Sequence, residues 1–592
     1  LFVNYGNRTD GQPDNIREQN NTDGPITQFQ YDATTNRLWK VTNPAGETQE
    51  YIYFDTGANI GKLKQMKDAT GAIQLEYEYG NDGKVTSVIH YGKYKVTYEE
   101  SVDVDGNTLT LIRHFDSLSS QTPVATSRLT LNKRLLLMKR EDFLVGIATG
   151  VAPTNEARNT WLYEYQDLEN PYLQTKSTDP NGDATSWTYG VPPAPNDPDP
   201  KKHVGTLGLL KSVTDVAGKT TVYNYCQETE DPVAVYKAKH KDLISEVIYP
   251  ALSQDPTVYK DQFTYDDNGN LKTAKDRANN TKVYTYDTSP GTGRLVSVED
   301  RNHNITSFTY TDASDQGNRG NLKTITTPAG PGTAPARTTT FLYYSAINPN
   351  SNTDPGAPRN YDHLYRTLRS GTVSTEYSQQ TWDPIGRPKK TTNPLGKYTL
   401  LNYTSGRLTS QDLPPNVNSG ANRRQMSFTY SNAGPADAPG QKFTVLRQIN
   451  ATQSQMRSRS EYDNLGRLSK FVKLQNGVER NYLTNYDALH RPISGQDPLG
   501  RQSTRTYSPH CRTVTVTSPS GLPTLVNRDA FCRPIWKSVP EEDHAMEYDN
   551  WGRLVKTIQR RMAPAHYASE LPLNPLQSVY EFSRYDGASI AD

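Results

Sequence analysis

Tyr462-Asp463-Asn464-Leu465-Gly466-Arg467-Leu468 is the stretch that decides the fold, because the chain repeats it with little disguise. It returns as Tyr486-Asp487-Ala488-Leu489-His490-Arg491-Pro492 and as Tyr507-Ser508-Pro509-His510-Cys511-Arg512-Thr513. It comes again as Arg528-Asp529-Ala530-Phe531-Cys532-Arg533-Pro534 and as Tyr548-Asp549-Asn550-Trp551-Gly552-Arg553-Leu554. The starts lie 24, 21, 21 and 20 residues apart. A fixed period of that length marks a repeat architecture, in which no unit buries its faces alone and each leans on its neighbours.

Each unit reads as two halves. A strand ends in an aromatic residue followed by Asp-x-x-Gly-Arg, where the Asp side chain caps its own turn and Gly supplies the positive φ that the turn demands. The chain therefore reverses. A short alternating run leads to a second turn signal, as in Asp497-Pro498-Leu499-Gly500, and a second run, Gln502 to Tyr507, brings in the next aromatic. One period is a β-hairpin plus its link, which predicts an all-β chain of hairpins laid side by side.

The composition agrees with a wall more than with a thick core. Of 592 residues only 34% are apolar and the mean hydropathy is -0.80, yet Tyr occurs 38 times against 13 Phe. Apolar surface that carries a hydroxyl suits half-wet sheet faces. With 65 basic and 64 acidic residues spread evenly, the net charge is +1, and no basic face for nucleic acid is expected. No apolar run reaches membrane-spanning length, so no membrane insertion by this segment is expected. The opening Leu1-Phe2-Val3-Asn4-Tyr5 reads as neither a signal peptide nor an anchor, and a pattern that starts and stops mid-phrase reads as a piece of something longer.

Along the chain, residues 1–27 read as an irregular entry segment and the repeat fills 28–592. The first unit is Gln28 to Asp32, followed by Asn43-Pro44-Ala45-Gly46. Between about 90 and 165 the punctuation thins and the strands lengthen; Ser127 to Phe143 fits either a strand pair or a short helix. Loop insertions rich in Pro, Gly and Asn are expected at about 191–202, 328–360 and 412–440. Between them the units resume, starting at Tyr265, Tyr286, Tyr310, Trp382 and Tyr403.

The alternation of Tyr-Asp-x-x-Gly-Arg-Leu with Asp-Pro-x-Gly and a Thr/Tyr-rich strand resembles the YD or Rhs repeat. That family includes bacterial Rhs polymorphic toxins, the B and C components of Tc toxins, wall-associated proteins and the teneurin shell. The resemblance implies one continuous spiralling sheet of β-hairpin repeats forming a hollow shell or part of one. It further implies a non-catalytic shell segment of a secreted or exported bacterial toxin that encapsulates an effector until delivery. The implied partners are an enclosed effector domain or a partner shell chain, with a secretion system or receptor; the implied location is secreted or at the bacterial cell surface. The alternative within the family is a cell-surface adhesin that binds glycan or protein through its inserted loops. A propeller enzyme, from another class, would repeat every 40 to 50 residues, about twice the period here.

Family toxins commonly close the shell with a self-cleaving aspartyl-protease segment around Asp-Pro-x-Gly-Leu. Asp497-Pro498-Leu499-Gly500 matches its first half, but Arg501 follows where Leu belongs and two more full repeats come after, so an ordinary turn is expected there.

The recurring Asp residues, Asp463, Asp487, Asp529 and Asp549, are expected to be turn caps, since many copies of one catalytic carboxylate make no chemical sense. The recurring Arg467, Arg491, Arg512, Arg533 and Arg553 form a column, each bonding a turn carbonyl or an Asp of its own or the adjacent unit; a polyanion groove is the sharper alternative. Cys511 and Cys532 occupy the turn position that Gly466 and Gly552 hold, and His490 takes it one unit earlier. Unlinked thiols, a Cys511–Cys532 disulfide and a His490, Cys511, Cys532 metal site all remain open for them. No phosphate-binding Gly-rich loop, His-Glu-x-x-His or Gly-x-Ser-x-Gly occurs, so no catalysis and no cofactor are expected.

Overall fold

The structure is a computed structural model that describes residues 2–4, 12–17, 26–190, 208–226, 242–250, 259–287, 293–312, 320–329, 336–343, 364–369, 375–383, 387–393, 395–414, 424–430, 442–448, 454–508, 512–539, 542–548, 554–561 and 578–582. Among them are 43 β-strands, from β1 (Phe2–Asn4) to β43 (Ser578–Phe582), and no helix. Each strand pairs antiparallel with the next in sequence, so the sheet is one uninterrupted meander. Hairpin turns at both edges are what that topology requires, and they recur at the period read from the sequence.

The two faces of the sheet differ because the strands alternate. In β19 (Lys260–Tyr265) and β20 (Leu271–Lys275), Phe263 stands opposite Ala274 on one face and Thr264 opposite Thr273 on the other. Elsewhere the first face pairs Phe29 with Val41, Tyr51 with Met66 and Tyr284 with Val298. The second face pairs hydroxyls, as in the 2.6 Å contacts Thr264–Thr273 and Thr309–Thr324. Among the described residues most strand side chains are half-exposed and few outside the stretch from Ser87 to Asn159 are buried, as in a wall one strand-layer thick.

Curvature has a local source. On one edge, which we call the Tyr edge, the register slips at the aromatic residue: between Gln30 and Tyr31, Glu461 and Tyr462, Asn485 and Tyr486, and Glu547 and Tyr548. A bulge adds a residue to one strand and increases the local twist, so bulges repeated along one edge bend the ribbon steadily in one sense.

The sparsely punctuated region carries the thickest packing. Strands β9 (Tyr94–Val102), β10 (Thr108–Phe115), β11 (Ala125–Leu131) and β12 (Leu137–Phe143) are long, and Ser127 to Phe143 is a strand pair, not a helix. Residues 144–157 fold back over one face, burying Phe143, Ile147 and Leu111 together. Arg113, 1% exposed, ties this flap down by donating from Nε to the Ile147 carbonyl at 3.0 Å and from Nη2 to the Val151 carbonyl at 3.1 Å.

Three of the expected irregular segments contain strands. The entry segment contains β1 and β2 (Asn15–Arg17), which pair with each other and, through β2, with β3 (Ile26–Tyr31). The insertions expected at 328–360 and 412–440 contain β25 (Arg337–Tyr343) and β31 (Arg424–Tyr430), each paired on both sides. Their short Thr- and Phe-bearing alternations were hidden by Pro and Gly on either flank. The insertion at 191–202 lies outside the described residues.

Candidate functional site at the coil seam

The repeated turn is a relay between units. Asp463 Oδ1 accepts from the backbone N–H of Leu465 at 3.0 Å and of Arg467 at 2.9 Å, while Oδ2 accepts from Arg467 Nε at 2.7 Å. The guanidinium thus held lies over the ring of Tyr486, 4.7 Å from its centre. The Tyr486 hydroxyl reaches back to the adjacent strand to donate to the Leu468 carbonyl at 2.8 Å. Tyr486 then leads into Asp487, and the sequence of contacts repeats. Arg491 bonds Asp487 at 2.8 Å and covers Tyr507, whose hydroxyl donates to Pro492; Arg533 bonds Asp529 at 2.7 Å and covers Tyr548, whose hydroxyl donates to Pro534.

These contacts fix the charges. Burial acts to raise the Asp529 carboxyl, but the bonds from Arg533 and the turn amides outweigh it and hold it below the ordinary range. Burial pushes the Tyr486 phenol up, as it does Tyr53, Tyr403 and Tyr430 at the same place in other units. Gly466 has φ +79°, and His490 and Cys532 have φ +61° at the matching position, so those two side chains occupy a backbone shape that favours glycine.

Arg467, Arg491 and Arg533 bond the Asp of their own unit, whereas Arg512, whose unit has Ser508 there, donates to the Arg528 carbonyl at 3.0 Å; the other nitrogens of such turn arginines do something the sequence does not show. Arg387 Nη1 donates to Glu47 Oε1 at 2.8 Å across 340 residues, and the Gly406 N–H donates to the same oxygen at 2.7 Å. Asn464 Nδ2 donates to the Asp116 carbonyl at 2.6 Å, and Arg512 Nη2 pairs with Asp183. The pattern is regular. The turn after β4 (Leu38–Thr42) meets the turn after β27 (Thr375–Trp382), and the connection after β10 meets the turn after β33 (Ser454–Tyr462). The turn after β14 (Lys176–Thr178) meets that after β37 (Gln502–Tyr507), twenty-three strands on in each case. The ribbon therefore coils, and the plain edge of one lap seats on the Tyr edge of the next. At about 4.8 Å per strand, one lap measures about 110 Å around, or about 35 Å from wall to wall.

The seam is polar and part-buried. Burial works against the Arg387 charge, yet Asp383 and Glu47 outweigh it and hold the guanidinium protonated above its ordinary range. At the same seam the rings of His114 and His490 meet edge to face, 5.9 Å apart.

Of the residues singled out in the sequence, Asp463, Gly466, Arg467, Tyr486, Asp487, Arg491, Asp529, Arg533 and Tyr548 sit in the relay, and Tyr462 stands at the bulge that leads into it. Asp549, Gly552, Arg553 and Cys511 lie outside the described residues. Cys532 is an exposed free thiol. Asp497 is a turn cap, accepting from Leu499 N–H at 2.9 Å and Arg501 N–H at 3.0 Å. Among the described residues no three of His, Cys, Asp or Glu come together as a metal site, and no helix is long and apolar enough to cross a membrane.

No protein-family model and no curated protein matches the sequence. The fold does have relatives among solved structures. It is similar to the crystal structures of TcdB2-TccC3-TEV and of TcdB2-TccC3 without its hypervariable C-terminal region, each with TM-score 0.51 and 12% identity over 94% of this chain. It is also similar to that of TcdB2-TccC3-Cdc42, with TM-score 0.50 and the same identity and coverage. The chain spans 33% of the length of each. An all-β shell of the Tc-toxin type is thus the class of fold to which this wall belongs.

Proposed function

We propose that this chain is a segment of a YD-repeat shell of the Rhs/Tc type, which walls off an effector domain until delivery and performs no chemistry of its own. The observation that carries the reading is the twenty-three-strand offset of the seam: a ribbon one strand-layer thick returns on itself and joins edge to edge, which encloses space instead of filling it. Similarity of fold to TcdB2-TccC3 supports the toxin class. Because this chain spans only a third of those relatives, the reading assigns the remaining wall to further sequence of the same polypeptide or to a partner shell chain. A secreted or cell-surface location belongs to the same proposal.

The product of the complete gene tests it by limited proteolysis. An enclosed effector survives protease while the wall is intact and is cut at once when denaturant opens it. An effector cut equally fast in both conditions overturns the container and leaves the surface adhesin, whose loops would face outward.

A further inference from the structure

We infer that mild acid parts the coil seam at His114 and His490, so that the shell carries its own proton-operated opening. The inference concerns how successive laps are joined and does not depend on what the shell contains.

The geometry fixes the state of His490. Its Nδ1 lies 3.3 Å from Arg467 Nη1. A guanidinium can only donate, so Nδ1 must be the bare acceptor and the imidazole neutral, with its proton on Nε2. Protonating Nδ1 removes the acceptor and sets a second cation against Arg467. Across the seam His114, on β10, presents its ring edge to face at 5.9 Å, and there too a proton adds like charge. His90, whose ring stacks on Tyr94 at 4.4 Å, is the third imidazole near the pair.

The acids that could absorb this charge are already engaged. Asp463 is bonded by Arg467, Asp487 by Arg491 at 2.7 Å, and Asp142 by Arg140 at 2.8 Å and by the Ser127 hydroxyl at 2.7 Å. The register neighbours of His114 on the flanking strands, Val96 and Ala125, are apolar and buried. Burial first, then the neighbouring imidazole for His114 and Arg467 for His490, hold both rings below the ordinary histidine range. The sign follows. An opened seam would release both rings to titrate near 6.5, whereas the joined seam resists protonation, so the joined state loses ground as pH falls below about 6.5.

The other seam contacts, Glu47 with Arg387 and Asp183 with Arg512, involve no histidine, which localises the opening. His490 holds φ +61° at a turn position where Gly466 has φ +79°, so the ring sits on a backbone shape that favours glycine.

Hydrogen exchange on the whole chain at pH 7.5 and pH 5.5, corrected for intrinsic rates, decides the matter. Amides in 114–124, 463–467 and 487–491 should lose protection by about tenfold per unit of pH, while the hairpin of β20 and β21 (Thr281–Tyr286) stays protected. His490→Gly, which installs the residue of Gly466, and separately His114→Phe should each cut that loss, since one ring is left to titrate, and the double variant should keep the seam protected at pH 5.5. Seam protection unchanged by acid in the native chain overturns the inference. So does a variant of either kind that opens with acid as the native chain does.

Discussion

Tyr486 shows how much one side chain does in this wall. Its ring lies under the Arg467 guanidinium, its hydroxyl closes on the Leu468 carbonyl, and its own backbone carries the bulge that bends the sheet. The part-buried counterpart Tyr53 donates to the Leu38 carbonyl at 2.8 Å and is the cleaner place to measure that bond. Tyr53→Phe keeps the ring and leaves one carbonyl without its donor, so a loss of about 1 kcal/mol is expected in urea unfolding. Arg467→Lys keeps the charge but loses both the Nε bond to Asp463 and the flat fork over Tyr486, and a loss of similar size is expected. The Asp cap and the Arg partner were legible because both ends of each bond lie within five consecutive residues. The tyrosine bond was not, because its acceptor is a backbone carbonyl about fifteen residues earlier, which no side-chain pattern records.

The thickened element from β9 to β12 behaves differently from the repeats, because here burial and charge are combined. Glu141 is 1% exposed and faces Arg128 at 2.6 Å, Lys139 at 3.0 Å and Arg158 at 3.3 Å. Burial alone would raise its carboxyl, but Arg128 and Lys139 outweigh it and hold it below the ordinary range. Glu141→Gln strands several cations and should cost roughly 3 kcal/mol at pH 7. A depressed carboxyl contributes stability that is full above its unfolded value of about 4.5 and is lost as pH falls through the lower folded value. The gap between native and Glu141→Gln chains in urea unfolding should therefore narrow below pH 4.5; a gap that is flat with pH would mean that charge is not what Glu141 contributes. Phe143→Ala, by contrast, empties a fully buried site and should cost about 3 to 5 kcal/mol at either pH. The sequence left this region open because the β11–β12 turn is capped by Asn132 with Leu135, not Gly, at the positive φ, and the flap at 144–157 carries no periodic signal at all.

At the scale of the molecule, what matters is a distance the sequence cannot express. Hairpin order was readable from a period of about two dozen residues, and with it a continuous sheet; the pitch of the coil was not, because Glu47 and Arg387 are separated by 340 residues and belong to different kinds of turn. The pitch is set by where the plain edge finds complementary groups on the Tyr edge one lap later. Glu47 is the strongest such point, since one carboxylate oxygen accepts from both Arg387 and the Gly406 amide and the other from Asn43 Nδ2 at 2.9 Å. Glu47→Arg turns that attraction into repulsion on a surface where neither partner is fully exposed. Scattering should then report a larger radius of gyration, more so when Asp183→Arg is added at the second ion pair. A single pair of this kind contributes only about 1 kcal/mol, so the expected change is a partly opened seam and not a lost fold, with the β-sheet signal of the circular dichroism spectrum intact. A radius unchanged in Glu47→Arg and in its combination with Asp183→Arg would place the cohesion of the coil in the bulged strands themselves, leaving the seam a consequence of curvature and not a cause.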